Sequence, residues 1–211
     1  MHRGTRAIIG LAGGSGSGKT SLMHAVMQRF PVGFAGRVSQ DDYYHPLEQQ
    51  VRDRNGRPNF DLPTALDLDQ LATDLGQLRK GEVVRRREYT FNHRDREAGW
   101  VELRPAPVLF VEGLFVLHHE GIRAHLDLTV YIDVDPALQL QRRLSRDLQE
   151  RGYSHTQIIY QWEQHVLPAY RTWLLPHRDS CDVLLDNQEP LPQAADRLYR
   201  QLTPLLDLQA V

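Results

Sequence analysis

The stretch GGSGSGKT, Gly13 to Thr20, constrains this chain more than any other part of it. The apolar run RAIIGLAG leads into it, and SLMHAVMQRF follows at helical spacing, so strand, loop and helix come in order. Glycines let the backbone curl until several N–H groups point at one anion. The positive end of the following helix faces the same anion. Gly13, Gly14, Ser15, Gly16, Ser17, Gly18, Lys19, Thr20 and Ser21 are therefore the expected nucleotide-binding residues. In that set Lys19 reaches the outer phosphate oxygens, and the Thr20 hydroxyl is placed to ligate Mg²⁺.

Four further runs share the apolar, β-branched character of the first: GRVSQ, PVLFVEG, LTVYIDVD and CDVLLDN. Amphipathic segments separate them, which predicts an α/β chain with a five-stranded parallel sheet and helices on both faces. PTALDLDQLATDLGQLRKG reads as one helix beginning at its proline. DPALQLQRRLSRDLQERG reads as another, with Asp135 at its N-cap, Pro136 at its first turn and Gly152 as its stop. Ala137, Leu140, Leu144 and Leu148 fall on one face of it. The tail PQAADRLYRQLTPLL could pack on the chain's own sheet or form an interface between copies of the chain, and the sequence leaves both open. Residues 82–104 alternate like a β-hairpin, and VRDRNGRP is a polar loop of a kind that is often mobile. One domain over 1–211 is expected, with the hairpin as an excursion and a lid at about 142–155.

Composition narrows the partners. A net charge of −2 gives no electrostatic case for nucleic acid or a membrane surface. No apolar run is long enough to cross a bilayer. A single cysteine, Cys181, excludes an internal disulfide and suits a reducing compartment, so a cytoplasmic chain is expected. The ten histidines include no set at zinc-ligand spacing.

PVLFVEG carries Glu112 at the carboxyl end of an apolar strand, where ligands of parallel sheets gather. It could hold Mg²⁺ directly or through water. SQDDYYHP places Asp41 and Asp42 side by side after the second strand. If strand alternation continued to that point, only one of the two would face the phosphate loop. In QRRLSRDLQERG, Arg143 and Arg146 share a helix face, Arg142 points elsewhere and Arg151 lies a turn further on. The run reads either as a phosphate-binding set or as a solvated face paired with Asp147 and Glu150. No Asn-Lys-x-Asp guanine reader and no Ser-Gly-Gly transporter signature is present. A small-molecule kinase and a nucleotide-binding protein without phosphoryl transfer remain.

Taken in order, IIGLAGGSGSGKTS, SQDDYY, NFDLPTALD, EYTF-NHR, VLFVEGLF, YIDVD, RRLSRDLQERG and YQWEQHVLPAY resemble the uridine kinases, which group with phosphoribulokinases among P-loop kinases. The resemblance runs from about residue 6 to residue 186. It implies a three-layer P-loop NTPase fold with a hairpin over the acceptor site. It implies ATP-dependent transfer to the 5′-hydroxyl of uridine or cytidine, with Mg²⁺. Asp41 is then the catalytic carboxylate, acting with Lys19 and the lid arginines Arg143, Arg146 and Arg151. Tyr44, Asp61, Tyr89, His93 and Gln161 fall at acceptor-pocket positions. Departures also cluster there: Leu62 replaces a histidine, His93 stands one residue closer to Tyr89, and Tyr153 replaces an arginine. A kinase for another small alcohol, a sugar phosphate or vitamin-like compound, is the alternative these departures support.

Overall fold

The structure is a computed structural model that describes residues 4–90 and 98–206. Along the chain run β1 (Ala7–Gly13), α1 (Lys19–Met27), β2 (Ala35–Ser39), α2 (Leu68–Arg79), β3 (Val84–Arg87), β4 (Trp100–Leu103) and β5 (Val108–Gly113). They are followed by α3 (Glu120–Arg123), β6 (Leu128–Asp133), α4 (Pro136–Gln149), α5 (His155–Gln161), α6 (Leu167–Ala169), β7 (Val183–Asp186) and α7 (Leu191–Leu205).

The five apolar runs form one parallel sheet in the order β2-β5-β1-β6-β7. Alternation along β1 divides the core in two. Ile8 and Ala12 pack with Leu71, Leu75 and Phe115 on one face. Ile9 and Leu11 pack with Leu22, Met23 and Leu198 on the other. With both faces covered, the inner strands tolerate no polar alternation, which is why they read as continuous apolar runs. Helix α7 buries Ala194, Ala195, Leu198 and Leu202 in the second of these cores, so its apolar stripe serves the chain's own sheet. Among the described residues no helix is long and apolar enough to cross a membrane.

Register brings chemistry to one edge. Leu11 and Ser39 both pair with Glu112, so the carboxyl ends of β1, β2 and β5 finish together. β3 and β4 form the separate antiparallel pair expected within 82–104, while the connection over 91–97, with His93, lies outside the described residues.

Local structure departs from the plain sequence pattern in four places. Strand β2 ends at Ser39, and Gln40–Tyr43 is a 3₁₀ turn capped by the Ser39 hydroxyl, so alternation does not reach Asp41 and Asp42. Helix α2 starts at Leu68 rather than at Pro63. Leu66 is extended and bridges Tyr44, and the Asp67 carboxylate caps the helix by accepting from the Gln70 N–H. The buried face of α4 is Gln139, Arg143 and Asp147. Ala137 and Leu148 are exposed, because the helix rests on the polar phosphate loop through Gln139, while Leu138 reaches the second core. The loop 51–58 is tied down: Arg52 bridges Pro58, and Asp53 bonds to Tyr160 and His165.

The hairpin is anchored by a buried carboxylate. Asp74 accepts from the Tyr43 hydroxyl at 2.8 Å, Gln70 Nε2 at 2.7 Å and Arg86 Nη1 at 3.1 Å, and the Arg86 guanidinium lies over the Tyr43 ring. This network joins β3, α2 and the turn carrying Asp41. Asp74→Ala strands a part-buried guanidinium and should cost about 3 kcal/mol. The expected result is a lower urea midpoint with an unchanged slope, and a wild-type midpoint would refute the assignment.

Candidate active site

The loop from β1 to α1 has its curvature from two glycines. Gly16 and Gly18 sit at φ 81° and 85°. A Cβ on Gly16 would also fall 2.3 Å from the Gln139 carbonyl, so α4 rests directly on the loop. Ser15, Gly16, Gly18, Lys19, Thr20 and Ser21 line a cavity of about 900 Å³. Gly13, Gly14 and Ser17 lie beneath that surface. The Gly13 and Gly14 carbonyls accept from Lys19 Nζ at 2.9 and 3.0 Å, and the Ser17 carbonyl accepts from Asn187 Nδ2 at 2.8 Å. Burial lowers the Lys19 pKa, while the Glu112 and Asp41 carboxylates oppose that shift.

Glu112 is 5% exposed at the end of β5. Its Oε1 accepts from Ser39 Oγ at 3.0 Å and Thr20 Oγ1 at 3.3 Å. Burial raises its pKa, Asp41 raises it further and Lys19 pulls it back. A carboxylate and two hydroxyls beside a phosphate loop form a hard oxygen set, which fits Mg²⁺ completed by water and substrate oxygens. Among the described residues no three His, Cys, Asp or Glu side chains gather as an all-protein metal cage.

Asp41 and Asp42 both line the cavity, so the expectation that only one would do so is corrected. The reason is the 3₁₀ turn, which replaces strand alternation there. Their surroundings still differ. The Asp41 charge acts on Lys19 and Glu112. Asp42 is raised by burial and then by Asp41, lowered by Arg37, and accepts a hydrogen bond from the Tyr89 backbone. Asp41 therefore belongs to the phosphate side and Asp42 to the hairpin side.

Three arginines converge on one carboxylate. Asp147 is fully buried, with Arg143 Nε at 3.2 Å, Arg146 Nε at 2.8 Å and Arg151 Nε at 3.6 Å. The two readings of this run thus merge, since the residue that pairs the arginines also holds them at the cavity. Arg143 spans the site, donating to Ser15 Oγ and to Gln161 Oε1, each at 2.8 Å. Arg151 is lowered by burial and then by Arg146, with Asp147 and Asp41 acting against that. Arg142, expected to point elsewhere, lines the same cavity and bonds the Asn187 carbonyl at 3.1 Å.

Beyond Asp41 the wall turns aromatic. The Tyr44 ring lies 5.7 Å from Phe60 and 5.2 Å from Tyr89, and Tyr153 lines the same cavity. Burial and neighbouring carboxylates push the Tyr44 hydroxyl well up, and burial with Tyr153 pushes Tyr89 up to about 12. Asp61 is buried at this end. Its pKa is raised by burial, with Arg143 and then His165 pulling it down. Gln161 also lines the cavity, whereas Leu62 does not. Sequence reasoning missed Ser39, Phe60, His165 and Asn187, and read Asp147 only as a partner on a solvated face. Spacing carried a signal for two of them: Asp147 is four residues beyond Arg143, and His165 four beyond Gln161.

The sequence profile of the phosphoribulokinase / uridine kinase family matches residues 8–190. A uridine kinase of Staphylococcus aureus is 31% identical over 202 residues, covering 96% of this chain and 98% of its own length. Among solved structures, phosphoribulokinase from Rhodobacter spheroides superposes with a TM-score of 0.63 at 19% identity, over 90% of this chain and 75% of that one. D-glycerate 3-kinase from Cryptococcus neoformans superposes with a TM-score of 0.56 at 17% identity, over 79% and 78%. These two show the shared P-loop kinase fold. The chain belongs to the phosphoribulokinase / uridine kinase family and is a small-molecule kinase.

Asp147→Ala would leave three guanidinium groups facing one another, one of them buried. A loss of about 3–5 kcal/mol in unfolding free energy is expected. Sulfate, which supplies a substitute counter-charge, should recover part of it. A wild-type urea midpoint without sulfate would show that Asp147 does not hold the arginines.

Proposed function

We propose that this member of the family transfers the terminal phosphoryl group of ATP to the 5′-hydroxyl of a pyrimidine nucleoside. One observation carries the reading. Asp41 lies between two dissimilar halves of a single cavity, with Lys19, Glu112 and the phosphate loop on one side and an aromatic wall with Asp61 on the other. An anionic donor suits the first half, and a flat ring bearing hydroxyls suits the second.

In this reading Asp41 orients the acceptor hydroxyl and takes its proton as the phosphoryl group leaves the donor. Lys19 exchanges the Gly13 and Gly14 carbonyls for phosphate oxygens. Arg143, Arg146 and Arg151 neutralise the moving charge, with the segment 142–155 acting as a lid over the reaction. Thr20 and Glu112 would hold Mg²⁺, which would supply positive charge to offset that of the phosphate oxygens. Tyr44 and Tyr89 face the base, and Asp61 and Gln161 bind its polar groups and the sugar hydroxyls.

A second reading keeps the reaction and changes the acceptor. Tyr153 stands at the cavity where relatives of this type are expected to place an arginine, so the acceptor end is not a copy of theirs. A kinase for another small alcohol is consistent with that change.

ADP release measured with uridine, cytidine and a set of sugars and sugar phosphates decides between the two. The nucleoside reading requires the highest kcat/KM with uridine or cytidine, and stimulation only by a sugar would overturn it. Asp41→Asn should lower kcat by roughly 10²–10⁴-fold while calorimetric ATP binding stays near wild type. An active Asp41→Asn enzyme would sink the base assignment.

A further inference from the structure

His165 has been given no role so far, and its surroundings are unusual for a buried histidine. It is 3% exposed, yet it lines the cavity at the acceptor end. It lies four residues beyond Gln161, so both present to the same side of the helix. The backbone carrying it is not ordinary α-helix: Trp162–Val166 is a π-helical turn continuing from α5. Such turns cost hydrogen-bond geometry, and they re-aim side chains at functional sites.

One ring nitrogen is accounted for. Nε2 lies 2.8 Å from Asp53 Oδ2, which also accepts from the Tyr160 hydroxyl at 2.6 Å. The other carboxylate oxygen of Asp53 accepts from the Asn55 and Arg57 backbone N–H groups at 2.8 and 2.9 Å. With the Tyr160 hydroxyl as the largest cause, these bonds hold the Asp53 carboxyl well below the ordinary carboxylate range. An ionised Asp53 can only accept, so Nε2 carries the hydrogen of this bond, and in the neutral imidazole tautomer so fixed Nδ1 is a hydrogen-bond acceptor. Among the described residues Nδ1 has no hydrogen-bond partner. The buried Asp61 carboxyl lines the same cavity.

We propose that His165 is a specificity-determining residue whose Nδ1 accepts a hydrogen bond from a hydroxyl of the acceptor other than the one phosphorylated, and that Asp53 is the positioning residue that fixes its tautomer. The proposal rests on the reading of this end of the cavity as the acceptor pocket. Its ligand is a polyhydroxylated small molecule, since a neutral nitrogen acceptor beside the Asp61 carboxylate pairs with O–H donors and leaves a buried acceptor unmatched where a hydroxyl is missing. The latch also explains the order of the 51–58 loop. Asp53 folds the loop on itself and against α5, and the Arg57 guanidinium lies 3.9 Å from the Tyr160 ring centroid.

Two variants separate recognition from packing. His165→Gln keeps a donor where Nε2 stood, so the Asp53 latch survives, and removes the nitrogen facing the cavity. Asp53→Asn keeps the oxygen that folds the loop but offers an N–H to Nε2, which moves the ring proton to Nδ1 and turns that nitrogen from acceptor to donor. The readout is the ratio of kcat/KM for uridine to that for its 2′- and 3′-deoxy analogues. Both variants should lower one of these ratios about tenfold, with KM for ATP and the urea midpoint near wild type. The ¹⁵N shifts of the His165 ring should show the proton on Nε2 in the wild type and on Nδ1 in Asp53→Asn. The wild-type panel is read first. If a sugar rather than a nucleoside is turned over, the nucleoside reading fails alone, and the variants are measured on that sugar and its deoxy analogues. Unchanged discrimination in His165→Gln overturns the specificity role. Unchanged discrimination and an unmoved ring proton in Asp53→Asn overturn the positioning role. Absence of turnover with every acceptor removes the acceptor pocket, and this inference with it.

Discussion

The site depends on a carboxylate kept out of water at the end of a strand. Glu112 is buried because β5 lies between β1 and β2 and pairs at this position with both, with Leu11 on one side and Ser39 on the other. An isolated buried carboxylate is costly, so its hydrogen bonds from Thr20 and Ser39 and the cation of Lys19 are requirements of the fold as much as of the chemistry. Those partners come from the start of α1 and the end of β2. Satisfying one charge on β5 therefore ties three elements together.

The donor half was largely legible in the sequence because its demands are local. A loop that wraps an anion needs glycine at set positions, and Gly16 and Gly18 have the left-handed backbone angles that glycine supplies. The parallel sheet was equally legible, since burial on both faces leaves no room for alternation. The hairpin strands appeared where their pattern put them.

What was not legible involves partners far apart in sequence or a period that changes partway. His165 meets Asp53 across more than a hundred positions, and no spacing rule connects them. Asp41 and Asp42 defeated strand alternation because the chain leaves the sheet one residue before them and turns as a 3₁₀ helix. Helix α4 inverted the usual inference from apolar periodicity. Its leucines are one stripe, but the surface available to it is the polar phosphate loop, so Gln139, Arg143 and Asp147 are the residues buried. Amphipathicity tells which residues share a side, not which side meets the protein when the neighbour is itself polar.

The arrangement around Asp147 bears on how the cavity attracts its donor from a distance. Three guanidinium groups and one carboxylate travel together on α4 and its end, so the cluster carries the charge of two cations and not three. Lys19 is offset by Glu112 and Asp41, and Asp42, Asp61, Glu88 and Glu150 line the same cavity, so the cleft has no strong positive charge. Capture of an anion by such a cleft is governed less by long-range steering than by the geometry met on contact, so encounter rates should fall gently as ionic strength rises. In a chain of near-zero net charge, this lets the cleft be selective for a tethered row of phosphates without concentrating every small anion in solution.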